Sequence, residues 1–249
     1  MKSSGRADDP REAAAATYLT RPELLAGDEP LEVEGDAYRH LFRARRLRLG
    51  DRLRVVDGRG SARLATVTEV DRRSATLRLG EALGSREPAR RVDLLVGAPR
   101  PERASWLVEK ATELGVSRLV FVATERLSRS YGDSAARRWQ RVARSAVEQC
   151  GRARMPEISG LRPMADALDE SPRPILALVP GGSPLASRLP AGSSPVSLVI
   201  GPEGGLTAGD LVEIEARGGL PVGLGESILR VETAAVAALS CALWGERAP

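Results

Sequence analysis

Three glycine-bearing segments, each directly after a predicted buried strand, contain the residues best suited to form a ligand pocket. They are Pro180–Pro184, Gly201–Gly205 and Gly223–Ser227. Ligands of open α/β sheets bind beyond the carboxyl ends of the strands, where glycine lets the backbone approach a ligand closely or adopt a positive φ. One such segment is commonly no more than a turn, whereas three within about the last 70 residues favour a small-molecule pocket.

The residues of these segments narrow the chemistry of the ligand. A phosphate-binding P-loop needs a Gly-Lys-Ser/Thr run, and neither lysine of the chain follows a glycine. Gly223 and Gly225 begin a dinucleotide-binding pattern, but Ile228 stands where its third glycine belongs. Glu203 and Glu226 would repel a phosphate-rich ligand. The pattern therefore indicates a neutral or cationic cofactor, such as one that carries an adenine or a sulfonium group.

The composition excludes several other classes of protein. The chain has 249 residues, of which 42% are hydrophobic, enough for one large domain or two small ones. No apolar run reaches the ~18 residues of a membrane helix, and the N-terminus lacks a secretory signal pattern. We therefore expect a cytoplasmic protein with no membrane partner. One histidine, His40, and two distant cysteines, Cys150 and Cys241, argue against a Ser-His-Asp hydrolase, a metal site and a disulfide framework.

The charge is distributed unevenly along the chain. Residues 1–160 carry a net charge of +8 and residues 161–249 a net charge of −4. Such a division fits a polyanion partner for one surface, although scattered solvated charge explains it equally well. Of the 37 basic residues only two are lysines, and a GC-rich genome is the simplest explanation for this preference.

Two domains are expected from the change in pattern near residue 86. Residues 1–86 contain short alternating runs between turn signals, which predict a small β-barrel preceded by a flexible N-terminal extension. The Arg-rich stretch Tyr38–Gly50 is expected to be a short helix that ends at Gly50. Residues 84–89 are expected to be a linker.

Residues 87–249 alternate strand and helix, which predicts an α/β domain with a largely parallel sheet. The expected strands are Val92–Val96, Arg118–Ala123, Ile175–Val179, Val196–Ile200 and Pro221–Leu224. The expected helices are Pro101–Leu114, Asp133–Cys150, one that opens at Thr207, and Val231–Trp244. The second of these helices has an apolar stripe that includes Trp139, and an opposite polar stripe expected to run from Arg138 to Arg152.

Two segments resemble the paired C-terminal motifs of the SPOUT methyltransferases. They are Ile200–Thr207, with the sequence IGPEGGLT, and Leu224–Ala234, with the sequence LGESILRVETA. The closest resemblance is to the ribosomal RNA small subunit methyltransferase E family, which Lys110–Val116 and Glu148–Arg152 also match. His40 and the Arg-rich stretch are similar to the PUA-like RNA-binding barrel of that family.

This resemblance implies a fold and an activity. The fold is α/β, with a deep trefoil knot in the C-terminal domain (87–249) and a PUA-like barrel in the N-terminal domain (1–86). The activity is transfer of a methyl group from S-adenosylmethionine to N3 of a uridine in 16S rRNA, without a metal, by a homodimer acting on the small ribosomal subunit. The chain departs from the family at Ser227, where Arg is common, and at Thr17–Thr20, which lacks the usual Arg-Phe-Phe-like start.

The resemblance also implies the residues of each site. The expected cofactor contacts are Leu178, Pro180, Ile200, Gly201, Pro202, Glu203, Gly204, Gly205, Leu224, Gly225, Ile228, Leu229, Arg230, Thr233 and Ala234. The expected RNA contacts are His40, Arg43, Arg45, Arg46, Arg138, Arg141, Glu148, Gln149 and Arg152.

Arg230 and Glu203 are the expected catalytic residues. A guanidinium can stabilise the anion that uracil forms when N3 loses its proton, and a carboxylate can accept that proton. Arg230 has the alternative of pairing with Glu203 or neutralising the start of the last helix. Glu232 and Glu148 are further candidates for the base, and each has a purely structural alternative.

Two other functions stay open at this point. Related folds methylate the ribose 2′-hydroxyl of RNA, and a chain that departs from its family at Ser227 can be a non-catalytic RNA-binding or ribosome-assembly protein.

Overall fold

The computed structural model describes residues 16–126 and 131–245, and the predicted N-terminal extension lies almost wholly outside these ranges. The contacts between Cα atoms divide the chain into two compact units. One unit extends to Glu87 and also contains Val147–Met155; the other contains Pro88–Ala146 and the residues from Pro156 onward.

The N-terminal unit is built on a five-stranded sheet with the order β1-β3-β4-β5-β2. Its elements are β1 (Thr17–Leu19), α1 (Pro22–Ala26), β2 (Leu31–Glu34), α2 (Gly35–Tyr38), a π-helical turn (Arg39–Ala44), β3 (Arg52–Val56), β4 (Ala62–Val70) and β5 (Ser74–Ala82). β1 is parallel to β3, and the other neighbouring strands are antiparallel. Alternate side chains of β2, such as Leu31 and Val33, enter the core, because successive side chains of a strand point to opposite faces.

The Arg-rich stretch is only partly the helix that its sequence predicts. α2 and the π-helical turn end at Ala44, and Arg46 has a φ of 62°. A residue in this left-handed region cannot continue a right-handed helix, so the chain turns there. The following residues up to Gly50 are irregular, and Leu47 is buried in the core of this unit.

The C-terminal unit has a six-stranded parallel sheet with the order β11-β9-β10-β6-β7-β8. Its strands are β6 (Val92–Gly97), β7 (Arg118–Ala123), β8 (Glu157–Pro163), β9 (Ile175–Pro184), β10 (Val196–Ile200) and β11 (Leu220–Gly223). Its helices are α3 (Pro101–Leu114), α4 (Asp133–Cys150), α5 (Met164–Asp169), a 3₁₀ turn (Leu185–Arg188), α6 (Ala208–Glu215) and α7 (Val231–Trp244). The end of α4, from Val147 onward, is counted with the N-terminal unit. The prediction of an α/β domain with a parallel sheet is therefore confirmed, while the trefoil knot stays a prediction.

The first glycine segment is not the loop that its sequence predicts. Residues 180–184 continue β9, and Ser183 and Pro184 pair with Val222 and Gly223 after a register shift in β11. Gly182 permits this pairing, because a Cβ there would lie 2.5 Å from the backbone carbon of Val222. The prediction missed this extension because Gly and Pro ordinarily end a strand.

Candidate active site

A cavity is surrounded by the middle of β9 (residues 178–180), the carboxyl ends of its two neighbours in the sheet, β10 and β11, and the start of α7. The cavity has a volume of about 470 Å³, within the range of small-molecule sites. The walls are largely apolar, and the Gly201–Gly205 segment contributes one side.

Most residues predicted to contact a cofactor lie on this wall. The structure brings together Leu178, Pro180, Ile200, Gly201, Pro202, Glu203, Gly204, Gly205, Leu224, Gly225, Ile228, Leu229, Arg230 and Ala234. Thr233 is exposed and is not part of the wall. Four wall residues were not predicted, namely Arg103, Val179, Ser227 and Val231.

Close packing of the backbone explains the glycines on one side of the cavity. A Cβ on Gly201 would lie 2.7 Å from the backbone nitrogen of Leu206, and a Cβ on Gly97 would lie 2.5 Å from that of Pro202. Gly205 has a φ of 73°, and its N–H donates to the carbonyl of Pro202 at 2.8 Å. Side chains at these positions would displace the segment that lines the cavity.

The Gly201–Gly205 segment is also held from outside the cavity. The Thr207 hydroxyl donates to Glu125 Oε2 at 2.6 Å, and the guanidinium of Arg126 donates to the carbonyl of Gly204. Thr207 and Asp210 form a capping box at the start of α6, as their spacing predicts. These contacts fix the conformation of the segment independently of a ligand.

Three charged side chains lie on the described wall. Glu203 and Arg230 are exposed, and Arg230 is the N-cap residue of α7. Arg103, in the first turn of α3, forms an ion pair with Glu232, in which Nη1 lies 3.1 Å from Oε1 and 3.3 Å from Oε2. Sequence reasoning missed Arg103, although its position just after the buried strand β6 meets the same rule that identified the glycine segments.

The two alternative bases both have hydrogen-bonding partners. Glu232 contacts Arg103 through both oxygens. Glu148 accepts a hydrogen bond from the backbone N–H of Leu19 at 3.4 Å, and both residues belong to the N-terminal unit. Of the three candidate bases, Glu203 is the one that lines the cavity.

Four predicted RNA contacts cluster in the N-terminal unit with exposed side chains, namely His40, Arg43, Arg45 and Arg46. Arg43 lies over the ring of Tyr38 at 5.7 Å and donates to the carbonyl of Arg72 at 3.1 Å. His40 Nε2 accepts from Arg45 Nε at 3.2 Å. The segment thus presents an ordered cluster of basic side chains to solvent.

Of the predicted RNA contacts in and after α4, Arg138, Arg141 and Gln149 are exposed, and Arg152 is not. The helix ends at Cys150, and Gly151 has a φ of 76°, so the polar stripe does not extend to Arg152. Its side chain is buried, and Nη2 and Nε lie 2.7 and 2.9 Å from Glu87 Oε2. Within the N-terminal unit, Arg152 therefore has a structural partner and little surface to offer a phosphate.

Residues 16–126 and 131–245 contain neither a candidate metal site nor a candidate membrane-spanning helix. No group of three or more His, Cys, Asp or Glu side chains there could hold a metal ion. No helix among those residues is long and apolar enough to cross a membrane.

Comparison with known families assigns both parts of the chain. A family model described as an RNA methyltransferase domain matches residues 85–243, and one described as an RNA methyltransferase PUA domain matches residues 33–80. The parallel sheet, its cavity and these matches define an RNA methyltransferase.

Individual relatives show to which family of RNA methyltransferases the chain belongs. The Mycobacterium bovis protein named ribosomal RNA small subunit methyltransferase E is 31% identical over 83% of this chain and 83% of its own length. The Bacillus subtilis protein of the same name is 26% identical over 84% of this chain and 87% of its own length. The chain belongs to the ribosomal RNA small subunit methyltransferase E family, as its motifs predict.

Solved structures agree with this assignment. The Neisseria gonorrhoeae ribosomal RNA small subunit methyltransferase E, solved with bound S-adenosylmethionine, is 26% identical and has a TM-score of 0.81 over 92% of this chain and 98% of its own. A Legionella pneumophila protein solved in complex with the same cofactor is 27% identical, with a TM-score of 0.78 over 91% and 95% of the two chains.

Proposed function

We propose that this chain transfers a methyl group from S-adenosylmethionine to N3 of a uridine in 16S rRNA of the small ribosomal subunit. The observation that carries the proposal is the cavity formed by the middle of β9 and the carboxyl ends of β10 and β11, whose wall contains 14 of the residues expected to contact this cofactor. In this proposal the methyl transfer takes place in the cytoplasm, where ribosomal subunits are assembled.

The residues of the cavity fit the cofactor. Leu178, Ile200 and Leu224 offer apolar contacts suited to an adenine, and Gly201 and Gly225 line the cavity without a side chain. The carboxylate on the wall, Glu203, suits a cationic ligand better than a phosphate-rich one. We assign the adenine and sulfonium contacts to these residues and leave Thr233 out of the site.

The chain's own residues supply the catalysis. When bound, S-adenosylmethionine supplies an electrophilic methyl group. Uracil N3 is a poor nucleophile until its proton leaves, and we assign the acceptance of that proton to the Glu203 carboxylate. The exposed guanidinium of Arg230 donates hydrogen bonds to the carbonyl oxygens that then carry the negative charge. The walls hold donor and acceptor in line, which accounts for much of the acceleration of a displacement.

RNA is bound by exposed basic side chains. In this proposal Arg43, Arg45 and Arg46 contact phosphates from the N-terminal unit, and Arg138 and Arg141 do so from α4. His40 orders the first group through its bond to Arg45. Arg152 serves the structure of its own unit rather than the RNA.

The functional form is a homodimer in this proposal. α3 and α7 pack against each other and leave the residues Trp106 and Trp244 44% and 43% exposed. Large exposed aromatic residues of this kind are enriched in protein interfaces. Sedimentation analysis of the purified chain should give twice the monomer mass.

The activity is tested in two stages. Calorimetric titration with S-adenosylmethionine should give binding to one site per chain, and no binding would leave a non-catalytic RNA-binding protein. The chain is then incubated with the cofactor and with small subunits from a strain that lacks its gene. Nucleoside mass spectrometry should detect 3-methyluridine, whereas a 2′-O-methylated nucleoside would establish the ribose reaction instead.

A further inference from the structure

Arg103 reaches the cavity from an element that contains none of the glycine segments. It lies in the first turn of α3, shortly after the carboxyl end of β6. Because β6 is the neighbour of β10 in the sheet, this turn starts beside the segment that follows β10, where Gly97 packs against Pro202. Among the described residues of the wall, Arg103 and Arg230 are the two that carry a guanidinium.

One nitrogen of the Arg103 guanidinium, Nη1, is bound to the carboxylate of Glu232. Both contacts to Glu232, a hydrogen bond to Oε2 at 3.3 Å and an ion-pair contact with Oε1 at 3.1 Å, use Nη1. Within the part of the chain that the structure describes, Nε and Nη2 donate to no protein acceptor. The Glu232 side chain is only 13% exposed, so the pair is shielded enough from water to keep a defined geometry.

We propose that Arg103 is a second catalytic guanidinium, which donates from Nε or Nη2 to a carbonyl oxygen of the uracil as N3 loses its proton. This inference rests on the proposed function. The charge of the uracil anion is shared between the two carbonyl oxygens that flank N3. Arg230 and Arg103, from different elements of the wall, can each serve one of them. The proton goes to the base already assigned, and no further reactant is required.

The ion pair favours a carbonyl over a phosphate as the ligand of Arg103. A guanidinium whose charge is balanced by a carboxylate keeps its directional N–H donors but attracts a full anion less strongly. Such a group suits an oxygen whose negative charge develops during the reaction. Glu232 is then the residue that orients Arg103. Its carboxylate, in the first turn of α7, therefore has a second role besides its favourable interaction with the helix dipole.

The test compares Arg103→Ala and Arg103→Lys in the full chain with the wild type. We expect Arg103→Ala to lower kcat by about 100-fold, the usual effect of removing one such donor. The affinity for S-adenosylmethionine should change less than twofold. Arg103→Lys keeps the charge and most of the volume but loses the planar fork, so it should fold normally and give an intermediate kcat.

The comparison of kcat with KM separates catalysis from structure. Because Glu203 accepts the proton, Arg103 acts only on the charge that develops during the reaction, so Arg103→Ala should lower kcat and kcat/KM by the same factor and leave the KM for the rRNA unchanged. An unchanged kcat, a rise in KM that accounts for the loss of kcat/KM, or a loss of cofactor affinity would each overturn the inference.

A matched control is available in the same unit. Arg217 is also partly buried and also forms ion pairs, with Asp169 at 2.8 Å and with Glu213 at 3.7 Å, but it does not line the cavity. Arg217→Ala should leave kcat and KM unchanged. Detection of 3-methyluridine with the wild-type chain is decided first, so failure of the proposed function and failure of this inference give different results.

Discussion

Arg230 combines an exposed guanidinium with a fixed backbone, since it is the N-cap residue of α7 and its carbonyl accepts from the N–H of Ala234 at 2.8 Å. Its backbone position is therefore set by the helix, whereas its side chain is exposed at the cavity, where it can meet a substrate. Arg103 and Arg126 are less visible in the sequence, because no motif contains them and their roles depend on partners far along the chain. Residue types within a motif can be predicted, but partners such as Glu232 and Gly204 depend on tertiary structure.

At Arg230 we expect Arg230→Ala to keep cofactor binding and to lose turnover. Removing one donor to a developing anion ordinarily costs about 100- to 1,000-fold in kcat. Calorimetry should give a dissociation constant for S-adenosylmethionine close to that of the wild type, and a methyl-transfer assay should give the reduced kcat. Undiminished turnover would remove Arg230 from the mechanism.

Asp57 links a single residue to the pH dependence of stability. Burial alone would raise the pKa of Asp57, but backbone N–H groups of Arg59, Gly60 and Ser61 donate to Oδ1 at 2.7 to 2.9 Å, and together these bonds hold the pKa below its ordinary value. A lowered carboxyl pKa adds stability above the ordinary pKa, and this stability is lost as the pH falls through the folded-state pKa.

Asp57→Ala should therefore destabilise the chain by about 2 kcal/mol at neutral pH. The difference from the wild type should shrink on acidification below the ordinary carboxyl range. Urea unfolding at several pH values measures it. Asp71→Ala, at the exposed turn between β4 and β5, is the control. A difference that persists undiminished in acid would contradict the assignment.

At the scale of elements, strong apolar periodicity allowed accurate prediction. α3, α4, α7, β7 and β10 have the expected bounds, because each has a continuous or helically spaced set of buried side chains. β8 was missed since none of its residues is fully buried. The bounds of α4 also limited the prediction for Arg152, because helical spacing has no meaning beyond Gly151. Sequence patterns thus predict elements better than the turns that end them.

Gly201 is a position where an added Cβ atom would disturb both the segment that follows β10 and the cavity that this segment lines. In Gly201→Ala the added Cβ would press on the backbone of Gly205 and Leu206, at 2.8 and 2.7 Å, and would displace the segment that lines the cavity. We expect the affinity for S-adenosylmethionine to fall at least about tenfold, or 1.4 kcal/mol. Gly160→Ala in β8, where a Cβ meets no atom within 4 Å, is the matched control. Equal affinities of the two variants would contradict the expectation.

At the scale of the whole molecule, net charge is a poor measure of how much arginine is available to RNA. In the C-terminal unit, Arg118 pairs with the fully buried Asp93 and with Glu170, and Arg162 pairs with Glu170 as well. In the N-terminal unit, Arg152 pairs with Glu87. These arginines stabilise the fold, so RNA binding depends on the exposed ones. The sequence predicted the basic character of residues 1–160 but could not separate these two groups, because burial and pairing depend on contacts distant in the chain.

The salt dependence of RNA binding measures how many phosphate contacts the exposed basic side chains make. Each phosphate contact to single-stranded RNA contributes about 0.7 to the slope of log K against log salt concentration. Replacing Arg43, Arg45 and Arg46 together by Ala should therefore reduce the steepness of that slope by about 2. Filter binding or fluorescence anisotropy over a salt series measures it with a fragment of small subunit rRNA. Arg217→Ala, which breaks a surface ion pair in the other unit, should leave the slope unchanged. Parallel slopes for the triple variant and the wild type would show that this cluster makes no phosphate contacts, and the proposed RNA surface would then rest on Arg138 and Arg141 alone.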